Sequence, residues 1–298
     1  MTSHLHLGED EERARHIVER HPLGATVAAN LVTEWTLRQV YSPHNSMPMV
    51  IALQYWAGDK QAAFRLAKLL ADIEPRLRDD VLFAFCARYD CPLDLETRDA
   101  LDYVARSFPV TFMRSRREAI GHPDGSFGLW AGTADNCYRR WRKKWHMCTN
   151  VFFCEPDGVP ARWDWIDALK DAHQRNLTAG KRITGARMDI RHRDPHVNGT
   201  LAMHISAWAD HPSWHSCPSN EGWDCVCGQS MLADLGPVGS VFNLYGAHDV
   251  SLSVFKTLGY VYSWIASVKD DSAFRCAQTL AGDEWRKLAA SVGKMEAS

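Results

Sequence analysis

Residues 47–90, MPMVIALQYWAGDKQAAFRLAKLLADIEPRLRDDVLFAFCARYD, decide the fold. MPMVIALQYW, set between SPHNS and AGDK, is an apolar run of strand length without polar alternation, the pattern of a strand buried on both faces. KQAAFRLAKLLADIEP then repeats its apolar residues at helical spacing and stops at Pro75. DDVLFAFCARYD is a second buried-strand run. The amphipathic helix LETRDALDYVARSF and a third short strand, PVTFMRS, follow it. Strand, helix, strand, helix, strand, with strands too apolar to face water on either side, predicts parallel βαβ units and helices on both faces of one sheet. The expected class is α/β.

Upstream, residues 1–45 read as a charged helix followed by a more apolar one. Downstream, GHPDGSFGLWAGT reads as a glycine-rich loop, ADNCYRRWRKKWHM as a helix and NVFFCE as a strand. Residues 180–210 read as strand and loop around ITGARMDI and HVNGTLAMHISA, residues 211–228 as irregular, and the tail as regular structure again. No repeat, low-complexity tract or linker divides the chain, so a single α/β domain with an elaborated second half is expected.

Composition narrows the function classes. With 46% hydrophobic residues, 298 residues can bury one large core. A net charge of −2 gives no global field for nucleic acid or anionic lipid, so a polyanion site must be a local patch. No apolar run approaches the ~20 residues that cross a bilayer, and the polar N-terminus is unlike a secretory signal. Nine cysteines without a framework spacing favour free thiols, and with the other features predict a cytoplasmic protein.

Three constellations carry chemistry. The first is NVFFCEPDGVPARWDW, residues 150–165, in which a strand ends in Glu155 and Asp157 around a proline. In a doubly wound sheet, ligands bind beyond the carboxyl ends of the strands. That rule groups these two acids with Gln54, Tyr55, Arg88 and Asp90. Two carboxylates at i and i+2 can hold Mg²⁺ or Mn²⁺ against a diphosphate, or Asp157 can shape a turn and Asp164 cap the next helix. Second, YRRWRKKWH sets Arg139, Arg140, Arg142, Lys143 and Lys144 among Tyr138, Trp141 and Trp145. On a helix the two tryptophans share a face, leaving either a solvated amphipathic surface or a stripe for phosphates. Third, His211, His215, Cys217, Cys225 and Cys227 fall within 17 residues and offer soft ligands for a structural Zn²⁺, although the spacing matches no standard finger.

FFCEPDG resembles the acid-x-acid motif of nucleotide-sugar glycosyltransferases of the GT-A fold, with Glu155 where Asp is usual. HVNGTLAMH is similar to the Asn–Gly turn that follows it in retaining members, NLYGAHDVSL to the late segment with a metal-binding histidine, and GHPDGSFGLW to the glycine-containing loop over the donor diphosphate. The matches fall in the right order across about residues 47–256. The resemblance implies a GT-A-like mixed sheet, with a Rossmann-like nucleotide-sugar half over about 47–150 and a metal and acceptor half over 151–256. It implies a hexosyl- or pentosyltransferase, retaining in preference to inverting. Its cofactors would be Mn²⁺ or Mg²⁺ and a nucleotide-sugar donor, a UDP-sugar first. Asp157 would bind the metal, Glu155 the metal or the donor ribose, and His248 would add an imidazole. Gln54, Tyr55 and Arg88 would line the nucleoside pocket, and Gly125 would let backbone approach the donor. Asp224 and Asn198 would serve the reacting sugar, and Trp214 and Trp223 would offer stacking faces. Some such enzymes of bacterial viruses modify hydroxymethylated pyrimidines, so DNA is an expected acceptor. The rival reading is a nucleic-acid-binding protein with structural zinc and no catalysis.

Overall fold

The computed structural model describes residues 47–74, 77–189, 194–216, 222–237, 241–243, 249–257, 265–267, 270–282 and 285. The two upstream helices, His248 and Cys217 lie outside them. Four strands run parallel: β1 (Met49–Tyr55), β2 (Val81–Ala87), β3 (Val110–Arg114) and β4 (Asn150–Cys154). Between them come α1 (Lys60–Ile73), α2 (Leu95–Val104) and α3 (Asp124–Arg142). Every residue of β1, β2 and β4 is buried, which is why their sequences show no alternation. The remaining strands are β5 (Gly158–Pro160), β6 (Ile183–Thr184), β7 (Arg187–Met188), β8 (His196–Val197), β9 (Leu201–His204), β10 (Val241–Asn243) and β11 (Ile265–Ser267). Later helices are α4 (Trp165–Thr178), α5 (Ser206–Asp210), α6 (Trp223–Met231) and α7 (Leu252–Thr257), with another across 272–282.

The main sheet has the order β3-β2-β1-β4-β9-β6, with β9 antiparallel to both its neighbours. It is a mixed, mostly parallel α/β sheet, as expected. A second sheet, β10-β11-β5, and a β7–β8 hairpin complete the described strands. One core layer joins α1, α2 and α4 to one face of the main sheet through Phe64, Leu70, Phe83, Phe85, Phe152 and Trp165. The other packs α3, α5 and α6 on the opposite face around Trp130, Phe153, Trp208 and Trp214. Because β1 connects outward to β2 and the chain later returns to β4 on its other side, the strand order reverses between β1 and β4. A crevice opens at such a reversal.

Three expectations need correction. From Asp124 on, the segment read as a glycine-rich loop is the first three turns of α3. Gly125, Gly128 and Gly132 recur at i, i+3 and i+7 and lie against residues 115–121. A Cβ on Gly125 would lie 2.9 Å from the Ile120 carbonyl carbon, and one on Gly132 would overlap Ser115. Residues 211–228, read as irregular, contain a 3-10 turn at Pro212–His215 and the start of α6. At the other end, α3 stops at Arg142 and Lys144 takes a left-handed conformation (φ 64°). Trp145 is therefore off the helix and does not share a helical face with Trp141; its ring lies 5.2 Å from the Arg140 guanidinium instead.

The eight described cysteines are buried free thiols, in line with the sequence reading. A buried ionic cluster ties the loop before β2 to α4: Arg78 bonds Asp80 at 2.7 and 2.8 Å and Asp167 at 2.6 Å, and Lys170 also meets Asp80. Burial favours the neutral acid, but the bonds from Arg78 and Lys170 outweigh it and hold the Asp80 carboxyl down at about 2.

Candidate active site

A cleft of about 880 Å³ opens at the carboxyl ends of β1, β2 and β4, where the strand order reverses. The end of β1 supplies Gln54, Trp56 and Asp59, the end of β2 supplies Arg88 and Asp90, and the turn after β4 supplies Glu155 and Asp157. The first turn of α3 brings Gly125 and Ser126, and His122 precedes it. Trp223 of α6 forms part of one wall, and Asp270 and Asp271 complete another.

The cleft is acidic. Six carboxylates line it against the guanidiniums of Arg65 and Arg88, and both guanidiniums are engaged by carboxylates of the cleft. Arg88 makes a two-pronged bond to Asp90 (2.7 and 2.6 Å), and Arg65 reaches Asp271 at 3.2 Å. Burial raises the Asp59 carboxyl from 3.8 to about 6; bonds from backbone amides work against the rise, and the nearby charge of Asp157 adds to it. Its Oδ1 accepts the Trp56 amide at 2.8 Å. Oxygen donors in excess, one of them reluctant to ionise beside another, fit a hard divalent cation.

The structure brings Gln54, Arg88, Gly125, Glu155 and Asp157 into this cleft. Gln54 lines it while its amide donates to Thr133 Oγ1 at 3.2 Å. Gly125 is needed because a side chain there would meet both Ile120 and the Arg88 guanidinium. Asp164 sits at the N-cap position of α4, but its carboxylate is held by Arg162 and caps no amide.

Tyr55 is misplaced by the sequence reading. Neighbouring strand residues face opposite ways, so Tyr55 points into the core, fully buried and edge-on to Phe64 at 5.4 Å. The aromatic at the cleft is the next residue, Trp56, which is 45% exposed with its ring 5.0 Å from the Arg88 guanidinium. Asn198 is not in the lining. Its Oδ1 accepts the Thr200 amide at 2.7 Å and shapes the turn. That turn sets Gly199 so close to the cleft wall that a Cβ there would be 3.2 Å from both Glu155 Oε1 and Trp223.

Trp223 has one face covered by Trp130 (4.1 Å, stacked), and Trp214 is fully buried against His211. Trp214 therefore offers no face to a ligand. Asp224 is not in the lining; a carboxylate oxygen of it lies within 4.8 Å of ligand atoms of His196 and Cys225. The described members of the soft-ligand cluster are dispersed: His211 pairs with Asp234 at 3.0 Å, and His215 Nε2 lies 2.8 Å from the Trp208 carbonyl. Sequence reasoning missed Trp56, Asp59, His122, Asp270 and Asp271. Only the first two carry a signal, since they lie in the short turn between a buried strand and the next helix.

No protein-family model and no curated protein sequence matches the chain. Among solved structures, the galactosyltransferase LgtC with donor and acceptor sugar analogues aligns with 80% of this chain and 99% of its own, at 11% identity and a TM-score of 0.41. Mouse xyloside xylosyltransferase 1 aligns over 75% and 98%, at 9% identity and 0.43. The bifunctional glycosyltransferase WbbM aligns over 82% and 51%, at 8% identity and 0.42. Likeness at this level carries no weight for function, which has to rest on the cleft itself.

Proposed function

We propose that the cleft binds a nucleoside diphosphate-sugar together with Mn²⁺ or Mg²⁺ and transfers the sugar to a hydroxyl acceptor. The observation that carries this reading is the acidic cleft at the β1/β4 reversal. Its carboxylates repel a bare diphosphate and accept one that arrives with a cation. Asp157 and Glu155 are the proposed ligands, with Asp59 beside them. A cation there supplies neutralisation of the departing diphosphate. Arg88, held by Asp90 and Trp56, is fixed in orientation and faces the donor. Trp56 takes the place in the nucleoside pocket first given to Tyr55, and offers a face for the base to stack on. The donor site then draws Trp56, Arg88 and Gly125 from residues 47–150, and Glu155, Asp157 and Trp223 from 151–256.

A donor panel tests the reading: release of UDP, GDP, CDP or TDP from the corresponding sugars, with and without Mn²⁺. Metal-dependent release from one donor class, lost in a folded Asp157→Ala variant, supports it. No release from any donor, or release untouched by Asp157→Ala, overturns it. The anomeric configuration of the product decides between retention and inversion. For a DNA acceptor the relevant surface is the exposed group Arg139, Arg142, Lys143 and Lys144. It lies at the far end of α3, about 25 Å from Gly125 at 1.5 Å rise per residue. Charge reversal there lowers activity on hydroxymethylated DNA, with a changed salt slope, only if DNA is the acceptor.

A further inference from the structure

Behind the Trp223 wall, three side chains of different chemistry converge without using the cleft. Among the described residues, one ligand atom each from His196, Asp224 and Cys225 lies within 4.8 Å of the others. We infer that this cluster is a second metal site, distinct from the carboxylate cleft, built for one zinc-class divalent ion.

The site is constructed by the packing of α6 on the β7–β8 hairpin. Gly228 lies one helical turn beyond Cys225, on the same face of α6. A Cβ at Gly228 would stand 2.9 Å from the Val197 carbonyl oxygen and 3.2 Å from His196 Cβ. Only a glycine lets the helix meet the hairpin backbone this closely, and the approach brings Cys225 Sγ to 3.9 Å from His196 Nε2. At Zn–S of about 2.3 Å and Zn–N of about 2.0–2.1 Å, tetrahedral ligands sit roughly 3.6 Å apart, so an ion enters with little movement. His196 and Cys225 are buried, so a small inward shift meets no competing solvent shell.

The imidazole is also oriented as a ligand. Its Nδ1 lies 2.9 Å from the Asp194 backbone carbonyl. A carbonyl only accepts, so the proton sits on Nδ1 and the Nε2 lone pair faces Cys225. Metal-binding histidines are commonly fixed by such an outer bond. The third ligand depends on Gly222, which precedes α6. A Cβ there would be 2.7 Å from Asp224 Oδ1 and 3.8 Å from His122 Nε2. The Asp224 carboxylate thus folds back over the helix start, on the side where His122 borders the cleft. Nitrogen, sulfur and a single carboxylate oxygen select zinc-class ions over Mg²⁺, the reverse of the preference expected from Glu155 and Asp157. Asp224 is then a structural ligand that pins α6, and with it the Trp223 wall, to the hairpin. Three protein ligands leave a fourth position for water.

Co²⁺ titration of the chelator-stripped full chain tests the inference without reference to turnover. Wild type is expected to take up one Co²⁺ with a thiolate charge-transfer band and the visible bands of tetrahedral cobalt, and Zn²⁺ should displace it. Cys225→Ser should abolish the charge-transfer band, and His196→Gln should lower affinity at least about 100-fold, since even outer-shell changes cost 10–100-fold. Asp157→Asn should leave the band intact, which separates this site from the proposed donor site. A wild-type protein without the band, a band that survives Cys225→Ser, or one lost in Asp157→Asn would each overturn the inference. Should Cys225→Ser fail to fold by circular dichroism, His196→Gln and Gly228→Ala decide it. The glycine variant forces α6 from the hairpin and should weaken Co²⁺ about 10-fold; unchanged affinity in both counts against the site.

Discussion

Asp59→Asn isolates the electrostatic strain of the cleft. The carboxyl rises from 3.8 to about 6 because burial, reinforced by Asp157, disfavours its charged form. Its folded-state value lies above the unfolded one, so the fold gains stability as pH falls from about 6 toward 3.8, and bears the full penalty above 6. The shift corresponds to about 3 kcal/mol at most, and partial solvent access reduces the expectation to roughly 1–3 kcal/mol. Asparagine keeps an oxygen to accept the Trp56 amide while removing the charge. Urea unfolding of both proteins, without divalent ions, should show the variant more stable by that amount at about pH 8 and equal to wild type at about pH 4. Added Mn²⁺ should then stabilise wild type more than the variant. An equal gain at both pH values, or none at the higher one, would refute the claim that burial, reinforced by Asp157, penalises the charged form of Asp59.

Other parts of the structure yield equally specific expectations. Trp56→Ala should weaken metal-dependent nucleotide binding by about 1–3 kcal/mol, the worth of one stacked base, with little effect on stability because the ring is half exposed; calorimetry measures it. Gly132→Ala should destabilise the protein by about 1–3 kcal/mol despite a better helix former, because the new methyl overlaps Ser115, whose hydroxyl donates to the Gly128 carbonyl at 2.8 Å. Adding Ser115→Gly should relieve much of that loss. His173 is fully buried, and burial, aided by His204, lowers it from 6.5 to about 3. It takes up a proton on unfolding, so stability is complete above pH 6.5 and falls by about 1.4 kcal/mol per pH unit toward 3. His173→Gln should flatten that acid limb in unfolding curves.

The parallel strands were legible because burial on both faces leaves an uninterrupted apolar run, as in Val81–Ala87 and Asn150–Cys154. The helices α1 and α2 were legible from their spacing. The start of α3 was not, because glycine disfavours helix by roughly 1 kcal/mol per residue and Gly125, Gly128 and Gly132 therefore read as a loop. Their i, i+3, i+7 spacing, the mark of a face made for close contact, was nonetheless present. Within the site, Glu155 and Asp157 could be placed because they end a strand. Tyr55 and Gln54 cannot both face the cleft, because neighbouring strand residues face opposite ways; parity pairs Gln54 with Trp56. Asp270 and Asp271 join the cleft only through the long return of the chain. His196 and Cys225 are 29 residues apart, so local ligand spacing pointed instead to His211 and His215, which Asp234 and Trp208 occupy.

The central claim is that the carboxylates at the end of β4 hold a cation on which nucleotide binding depends. Calorimetric titration of UDP, GDP, CDP and TDP into wild type and Asp157→Asn, with and without Mn²⁺, tests it most directly. One nucleotide should bind wild type only when Mn²⁺ is present, and at least about 10-fold more weakly to the variant, a loss of 1.4 kcal/mol or more. A nucleotide that binds equally well without metal, or indifferently to Asp157→Asn, would contradict the claim, as would a cleft that takes none of the four.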